Sequence, residues 1–256
     1  MANQRVLLLM TTRTYRARAF LKAARAMGAD IVVGSERRQA LAKRARGTSI
    51  ALDFARPERA ADQIAAFAAD RPFDAVVGVD DDTTVVAAAA AARFGLPHNS
   101  VESVRASRDK YETRRTLALA GLSSPSFELL PLDANPWEAA TKAPYPCVLK
   151  PVSLSASRGV IRADTPQEFV EAFRRIASLL REGADGARHH DHLLVESFIP
   201  GLEVALEGIL NAGSLQTLAL FDKPDPLDGP YFEETLYVTP SRRPAAVQRD
   251  IEATTS

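Results

Sequence analysis

The sequence predicts an α/β fold in two parts: a doubly wound parallel sheet over residues 1–100, then an α+β region rich in antiparallel strands. Three observations carry this. Short continuous apolar runs at Arg5–Met10, Ile31–Val33, Ser49–Leu52 and Ala75–Val79 suit strands buried on both faces of a parallel sheet. Amphipathic stretches alternate with them, at Tyr15–Met27, around Glu36–Ala45 and at Pro57–Ala69, so the order reads βαβαβαβ. Past Val101 the alternation stops, and strand candidates at Leu193–Ser197, Glu203–Leu210, Leu215–Phe221 and Phe232–Val238 follow one another without helices between them.

Taken in order, Gly28 ends the first helix, and helix resumes at Ala87–Phe94 before Gly95-Leu-Pro97 closes it. Two short helices at Glu102–Ser107 and Tyr111–Leu119 flank Asp109-Lys110, and a strand is expected at Phe127–Leu130. In Pro166–Leu180 the residues Phe169, Phe173, Ile176 and Leu180 recur at i, i+4, i+7 and i+11, the stripe of a helix packed on a core. Residues 182–191 read as a polar loop. The order divides into a domain over 1–100, a central part over 101–190 and a last part over 191–256.

Composition narrows the function. With 256 residues and 46% apolar content the chain has ample material for a core, and 32 basic against 32 acidic residues leave no net charge. Neither nucleic acid nor an anionic membrane is therefore expected as partner. The longest apolar run, Val85–Ala92, is too short to span a bilayer, and the N-terminus lacks a signal-peptide layout, so a cytoplasmic protein is expected. A single cysteine, Cys147, rules out an internal disulfide and a cysteine-based zinc site.

The first strand turns through Met10-Thr-Thr-Arg-Thr-Tyr15, without the glycines a dinucleotide pyrophosphate requires. No G-x-x-x-x-G-K-[ST], G-x-S-x-G, H-E-x-x-H or paired C-x-x-C occurs either. Val79-Asp-Asp-Asp-Thr83 stands where a strand gives way to a helix; three carboxylates there could hold a metal or a substrate amine, but a helix N-terminus favours acidic residues for capping anyway. His189-His190-Asp191-His192 lies in a polar loop with no second ligand group at diagnostic spacing, so a metal site is not expected there.

The stretch Tyr145–Ile161, YPCVLKPVSLSASRGVI, is different. A short apolar strand presents Lys150, and Ser153, Ser155, Ser157, Arg158 and Gly159 then form a donor-rich loop able to wrap an anion before the chain returns to strand. A surface hairpin with an exposed lysine would share these residues. Further on, Glu196 ends an apolar strand and Glu203 follows a Pro-Gly turn, two acceptors suited to sugar hydroxyls or an amino group; strand-end glutamates without a role would look alike. The Pro-rich connection Phe221–Pro230, followed by Phe232-Glu-Glu234, suits either a cover over a site or a plain surface excursion.

In their order these pieces resemble a known family. Gly95-Leu-Pro-His-Asn99, Arg108-Asp-Lys110 with Arg114, Gly121-Leu-Ser-Ser-Pro125, Pro146-Cys-Val-Leu-Lys-Pro151, Arg158-Gly-Val160, Leu194-Val-Glu-Ser-Phe-Ile-Pro-Gly-Leu-Glu203 and Asp222-Lys-Pro-Asp-Pro226 together are similar to the ATP-grasp enzymes. Within them the likeness is strongest to the carboxylate–amine ligases that include the L-amino-acid ligases. The resemblance implies an N-terminal pre-ATP-grasp domain and an ATP-grasp domain. It implies that Lys110 and Lys150 converge on ATP phosphates under a mobile cover that includes Ser155, Ser157, Arg158 and Gly159. Glu196 would stand at the adenine, Val195, Phe198 and Ile199 would line its slot, Glu203 would take the ribose hydroxyls, and Lys223 and Glu233 would face substrate. The implied reaction joins a carboxylate to an amine, both from small molecules such as amino acids, through an acyl phosphate, a chemistry that needs positioned cations more than covalent groups. Magnesium is implied too, on an acidic residue and a Glu-x-Asn type pair. Asp250 and Glu252 are not assigned that role, so these ligands are expected beyond Ser256 in a chain shortened relative to the family. A non-catalytic nucleotide-binding module and a biotin-carboxylase-like subunit are the competing readings. Exposed sheet edges leave room for a homodimer.

Overall fold

The computed structural model describes residues 4–37, 48–182, 191–233 and 235–256. They fall into two compact units, Met1–Thr113 and Arg114–Ser256.

In the first unit β1 (Arg5–Leu9), β2 (Asp30–Ser35), β3 (Ser49–Ala51) and β4 (Ala75–Gly78) form one parallel sheet in the order β3-β2-β1-β4. Because successive side chains alternate between faces, the unbroken apolar run of β1 serves two cores. Leu7 and Leu9 pack with Ala60, Ala61 and Ile64 of α2 (Pro57–Phe67) and Val86 and Ala90 of α3 (Thr84–Arg93), while Leu8 and Met10 meet Phe20 and Leu21 of α1 (Ala17–Ala26). Helices on both faces make the sheet doubly wound, as the alternation predicts. The expected helix around Glu36–Ala45 falls largely outside the described residues.

The unit runs past residue 100, where the sequence pattern changes. Ser100 caps α4 (Val101–Arg108) by accepting the Ser103 N–H at 3.1 Å, and Val101 packs on the α2/α3 core. Arg105 pairs with Glu58, and Arg108 with Asp81 and Asp82 at 3.2 and 2.8 Å. Asp80 accepts from Thr11 N–H at 2.8 Å and from the Thr14 hydroxyl at 2.6 Å, which ties the loop after β1 to the loop after β4. The three carboxylates of Asp80–Asp82 are thus engaged by the loop and by α4. The next helix, α5 (Lys110–Leu119), contains the division between the units.

The second unit holds an antiparallel sheet in the order β5-β8-β6-β7, from β5 (Phe127–Pro131), β6 (Cys147–Pro151), β7 (Ile161–Ala163) and β8 (His192–Ser197). One face packs on α7 (Pro166–Glu182), whose Phe169, Phe173, Ile176 and Leu180 are at most 3% exposed, and on the short α6 (Pro136–Ala140). That five-residue helix gives no periodic signal in the sequence. A separate hairpin pairs β9 (Val204–Asn211) with β10 (Ser214–Asp222) through Ala212-Gly213, both in the left-handed region at φ 49° and 80°, as a two-residue turn between twisted strands requires. The last helix is α8 (Ala245–Thr255).

One expectation fails. Phe232–Val238 is not a strand: Tyr231 makes an isolated bridge to Ile161 and Val238 another to Asp222, with no ladder between them among the described residues. The two anchors lie on different sheets, so the segment crosses from β7 to β10 and cannot keep the register of either.

Candidate functional site

Alternation along β6 and β8 sorts the residues of the second unit. Cys147, Leu149, Leu193 and Val195 point to the α7 core, so Val148, Lys150, Leu194 and Glu196 take the opposite face. The Val195 side chain therefore belongs to the α7 core and not to the opposite face.

On that opposite face opens a cavity of about 550 Å³, lined by Lys150, Ser157, Glu196, Phe198, Ile199 and Glu203 among others. This is within the ~300–1,000 Å³ of small-molecule sites. In the β6–β8 register Glu196 stands across from Val148, which puts Lys150 on the diagonal, within reach of a long side chain. The Lys150 ammonium donates to Glu196 Oε2 at 2.5 Å. Arg114, on α5, donates from Nε to Glu196 Oε1 at 2.7 Å and from Nη2 to Oε2 at 3.5 Å. The Glu196 side chain is 5% exposed. Burial alone would raise its pKa; the Arg114 hydrogen bond and the Lys150 charge outweigh burial and hold it below the ordinary glutamate value.

Glu203, also in the cavity lining, is exposed and pairs with Lys223, which is buried and stands 5.1 Å from the Tyr237 ring centroid. The Phe198 ring forms a wall, and Arg162 of β7 stacks on it at 4.1 Å. Arg162 also holds Asp164 at 2.7 Å and donates from Nη1 to Asp228 O at 2.7 Å, while its N–H donates to Pro230 O at 2.9 Å. These bonds fasten the Pro-rich connection to the sheet. The N–H groups of Ser197 and Phe198 donate to Ser126 O and Pro146 O at 3.0 and 2.9 Å, so these donors are used within the fold, not offered to a base edge.

The serine-rich loop divides. Ser157, at φ 53°, turns to the cavity, and with Ala156 and Gly159 it also lines a second cavity of about 730 Å³ that holds Glu233 and Phe232. Arg158 lines a third with Arg175 and Leu179 on the α7 side, and Ser155 is exposed, its carbonyl accepting the Arg158 N–H at 3.4 Å. Lys110 opens α5 in the first unit. His189 and His190 lie outside the described residues, and among the described ones no group of three or more His, Cys, Asp or Glu stands close enough to hold a metal. No described helix is long and apolar enough to cross a membrane.

Two site features lack a sequence signal: Arg114 meets Glu196 across 82 residues, and Arg162 meets Phe198. Nothing in local pattern foretells which cation a buried carboxylate receives.

The fold is that of a two-unit α/β protein whose second unit carries a cavity walled by lysine, glutamate and phenylalanine. Comparison with known proteins gives it a family. Residues 21–98 match the ATP-grasp N-terminal domain and residues 143–256 the ATP-grasp domain. The chain belongs to the ATP-grasp family. A D-alanine--D-alanine ligase from Bordetella petrii is 26% identical over 202 residues, 76% of this chain and 59% of that protein. The crystal structure of an L-amino acid ligase from Bacillus licheniformis superposes with a TM-score of 0.78 at 23% identity, over 100% of this chain and 61% of that one. The biotin carboxylase domain of the Hydrogenobacter thermophilus 2-oxoglutarate carboxylase, solved with MgADP and bicarbonate, gives 0.66 at 16%, over 98% of this chain and 56% of that one. The chain thus spans about three fifths of the length of these relatives.

Proposed function

We propose that this chain holds ATP and works in a carboxylate–amine ligase that forms an amide or peptide bond through an acyl phosphate, with small molecules such as amino acids as substrates. The observation that carries it is one cavity lined by Lys150, Glu196, Phe198, Ile199 and Glu203. Lys150 meets the phosphates, Phe198 and Ile199 flank the base, Glu196 accepts from the base amino group and Glu203 takes ribose hydroxyls in place of Lys223. Ser157, with Ser155, Arg158 and Gly159, belongs to the cover over the phosphates, Lys110 supplies a second phosphate cation, and Lys223 and Glu233 meet substrate. Domain limits near residues 100 and 190 follow the same reading.

In the reaction a substrate carboxylate oxygen attacks the γ-phosphorus and the bond to ADP breaks. The amine then attacks the acyl carbon, phosphate leaves and the amine gives up a proton. Both steps concentrate negative charge that Lys150 is placed to offset. Magnesium, when bound, would supply positive charge that offsets the phosphates. The described residues do not assemble a ligand set for it, so no step is routed through it.

The test is thermal stability titrated with ATP, with and without magnesium, in the native chain and in Lys150→Ala, followed by phosphate release with pooled amino acids. Stabilisation lost in the variant, with phosphate release dependent on both carboxylate and amine, supports the ligase. Binding without release under any substrate leaves a nucleotide-holding module, and absence of binding sinks the reading.

A further inference from the structure

We infer that Arg114 is a positioning residue: its guanidinium keeps the buried Glu196 carboxylate charged and fixed, so that Lys150 is free to leave Glu196 for an anionic phosphate. This rests on the nucleotide reading of the cavity, whose lining includes Arg114, and it assigns that residue a role through Glu196.

The geometry argues it. One carboxylate with a 5% exposed side chain faces two cations, and the cluster carries one excess positive charge at the wall of the cavity. Lys150 holds a single oxygen, Oε2 at 2.5 Å, through a flexible stem. Arg114 approaches with two nitrogens of a planar fork, Nε to Oε1 at 2.7 Å and Nη2 to Oε2 at 3.5 Å, which fixes the carboxylate plane. Were Lys150 the sole partner, its departure toward a phosphate would strand a buried charge, and breaking such a pair is strongly unfavourable. With Arg114 in place the charge stays compensated while the ammonium moves. The remaining charged groups nearby are committed elsewhere: Glu203 to Lys223, and Arg162 to Asp164 and the Phe198 ring.

A first arm needs no ligand. Melting temperatures of Lys150→Met and of Arg114→Met/Lys150→Met are compared with the native chain at about pH 7.5 and pH 5. In Lys150→Met, Arg114 still holds Glu196 ionised, so the deficit against the native chain stays constant between the two pH values. In the double variant Glu196 is buried without a cation and its pKa rises, so the folded state takes up a proton on acidification and the deficit shrinks. A deficit that shrinks equally in Lys150→Met, or in neither variant, overturns the inference.

A second arm is ADP binding by calorimetry in two buffers of different ionisation enthalpy. Arg114→Met is expected to bind at least ~tenfold more weakly than the native chain and to take up a proton that the native chain does not, with Arg114→Lys recovering most of the affinity. Unchanged affinity and proton count in Arg114→Met overturn the inference, and this arm decides if the double variant does not fold. Should the native chain bind no ADP, the nucleotide reading fails while the first arm still reports on Arg114.

Discussion

Replacing Gly159 by alanine tests the coupling between the serine-rich loop and the sheet beneath it. Gly159 has φ +74°, and a Cβ there would stand 2.9 Å from Pro151 Cγ, 3.0 Å from Leu179 Cδ2 and 3.1 Å from Pro151 Cδ. Two costs add. The left-handed backbone costs alanine about 1 kcal/mol. Crowding against Pro151, a stiff buried ring at the end of β6, adds about 1–3 kcal/mol, while Leu179, half-buried on α7, meets the new methyl only with the end of its side chain and can turn aside. Gly121 is the control: φ is +70° and nothing lies within 4 Å of its Cβ, so Gly121→Ala carries the backbone cost alone. Urea unfolding followed by circular dichroism and by Trp137 fluorescence should show Gly121→Ala losing about 1 kcal/mol and Gly159→Ala about 2–4 kcal/mol. Trp137 sits in the second unit, so its signal isolates that unit if the two unfold separately. Equal losses in the two variants would falsify the steric part of the reasoning and show that the loop floats free of Pro151 and Leu179.

Three further expectations concern the second unit. Phe169→Ala removes a ring with no solvent exposure that meets Tyr145 edge-on at 6.5 Å, and should cost about 3–5 kcal/mol in the same unfolding assay; a loss below ~1 kcal/mol would mean the α7 core closes over the gap. The Cys147 thiol is pushed up to about 12, by burial first and then by the Asp164 charge, so a thiol reagent at about pH 8 should leave the native chain unmodified and label it once on denaturation; rapid native labelling would contradict its burial. Asp222 accepts from the Ser241 hydroxyl at 2.6 Å and the Arg242 N–H at 2.8 Å, which hold its pKa below the ordinary value. A lowered folded pKa contributes stability that is present above the unfolded value and lost as pH falls through the folded one. Asp222→Asn should therefore flatten the fall in melting temperature between roughly pH 5 and pH 2, and an unchanged acid limb would count against those bonds.

The parallel sheet was legible because a strand buried on both faces must be apolar at every position, and β1 obeys that from Val6 to Leu9. The helix α7 was legible for the matching reason, since only a 3.6-residue period places Phe169, Phe173, Ile176 and Leu180 on one stripe. Segments that local pattern does not govern were not. The run Phe232–Val238 has strand composition, but Tyr231 and Val238 are claimed by different sheets, and hydrogen bonds to those sheets outweigh local preference.

The site divides along the same line. Chemistry-bearing residue types in a recognisable order, Lys150 before a serine loop and Glu196 seven residues ahead of Glu203, are properties of the chain, and from them the family could be read. Which residue faces which is a property of the folded sheet. Strand alternation sent Val195 to the core and Glu196 to the cavity, and the β6–β8 register brought Lys150 beside Glu196. Packing of α5 then brought Arg114 to the same carboxylate from 82 positions away. Pairings at such separation depend on how distant elements settle against one another, and a buried charge takes whichever cation that packing delivers.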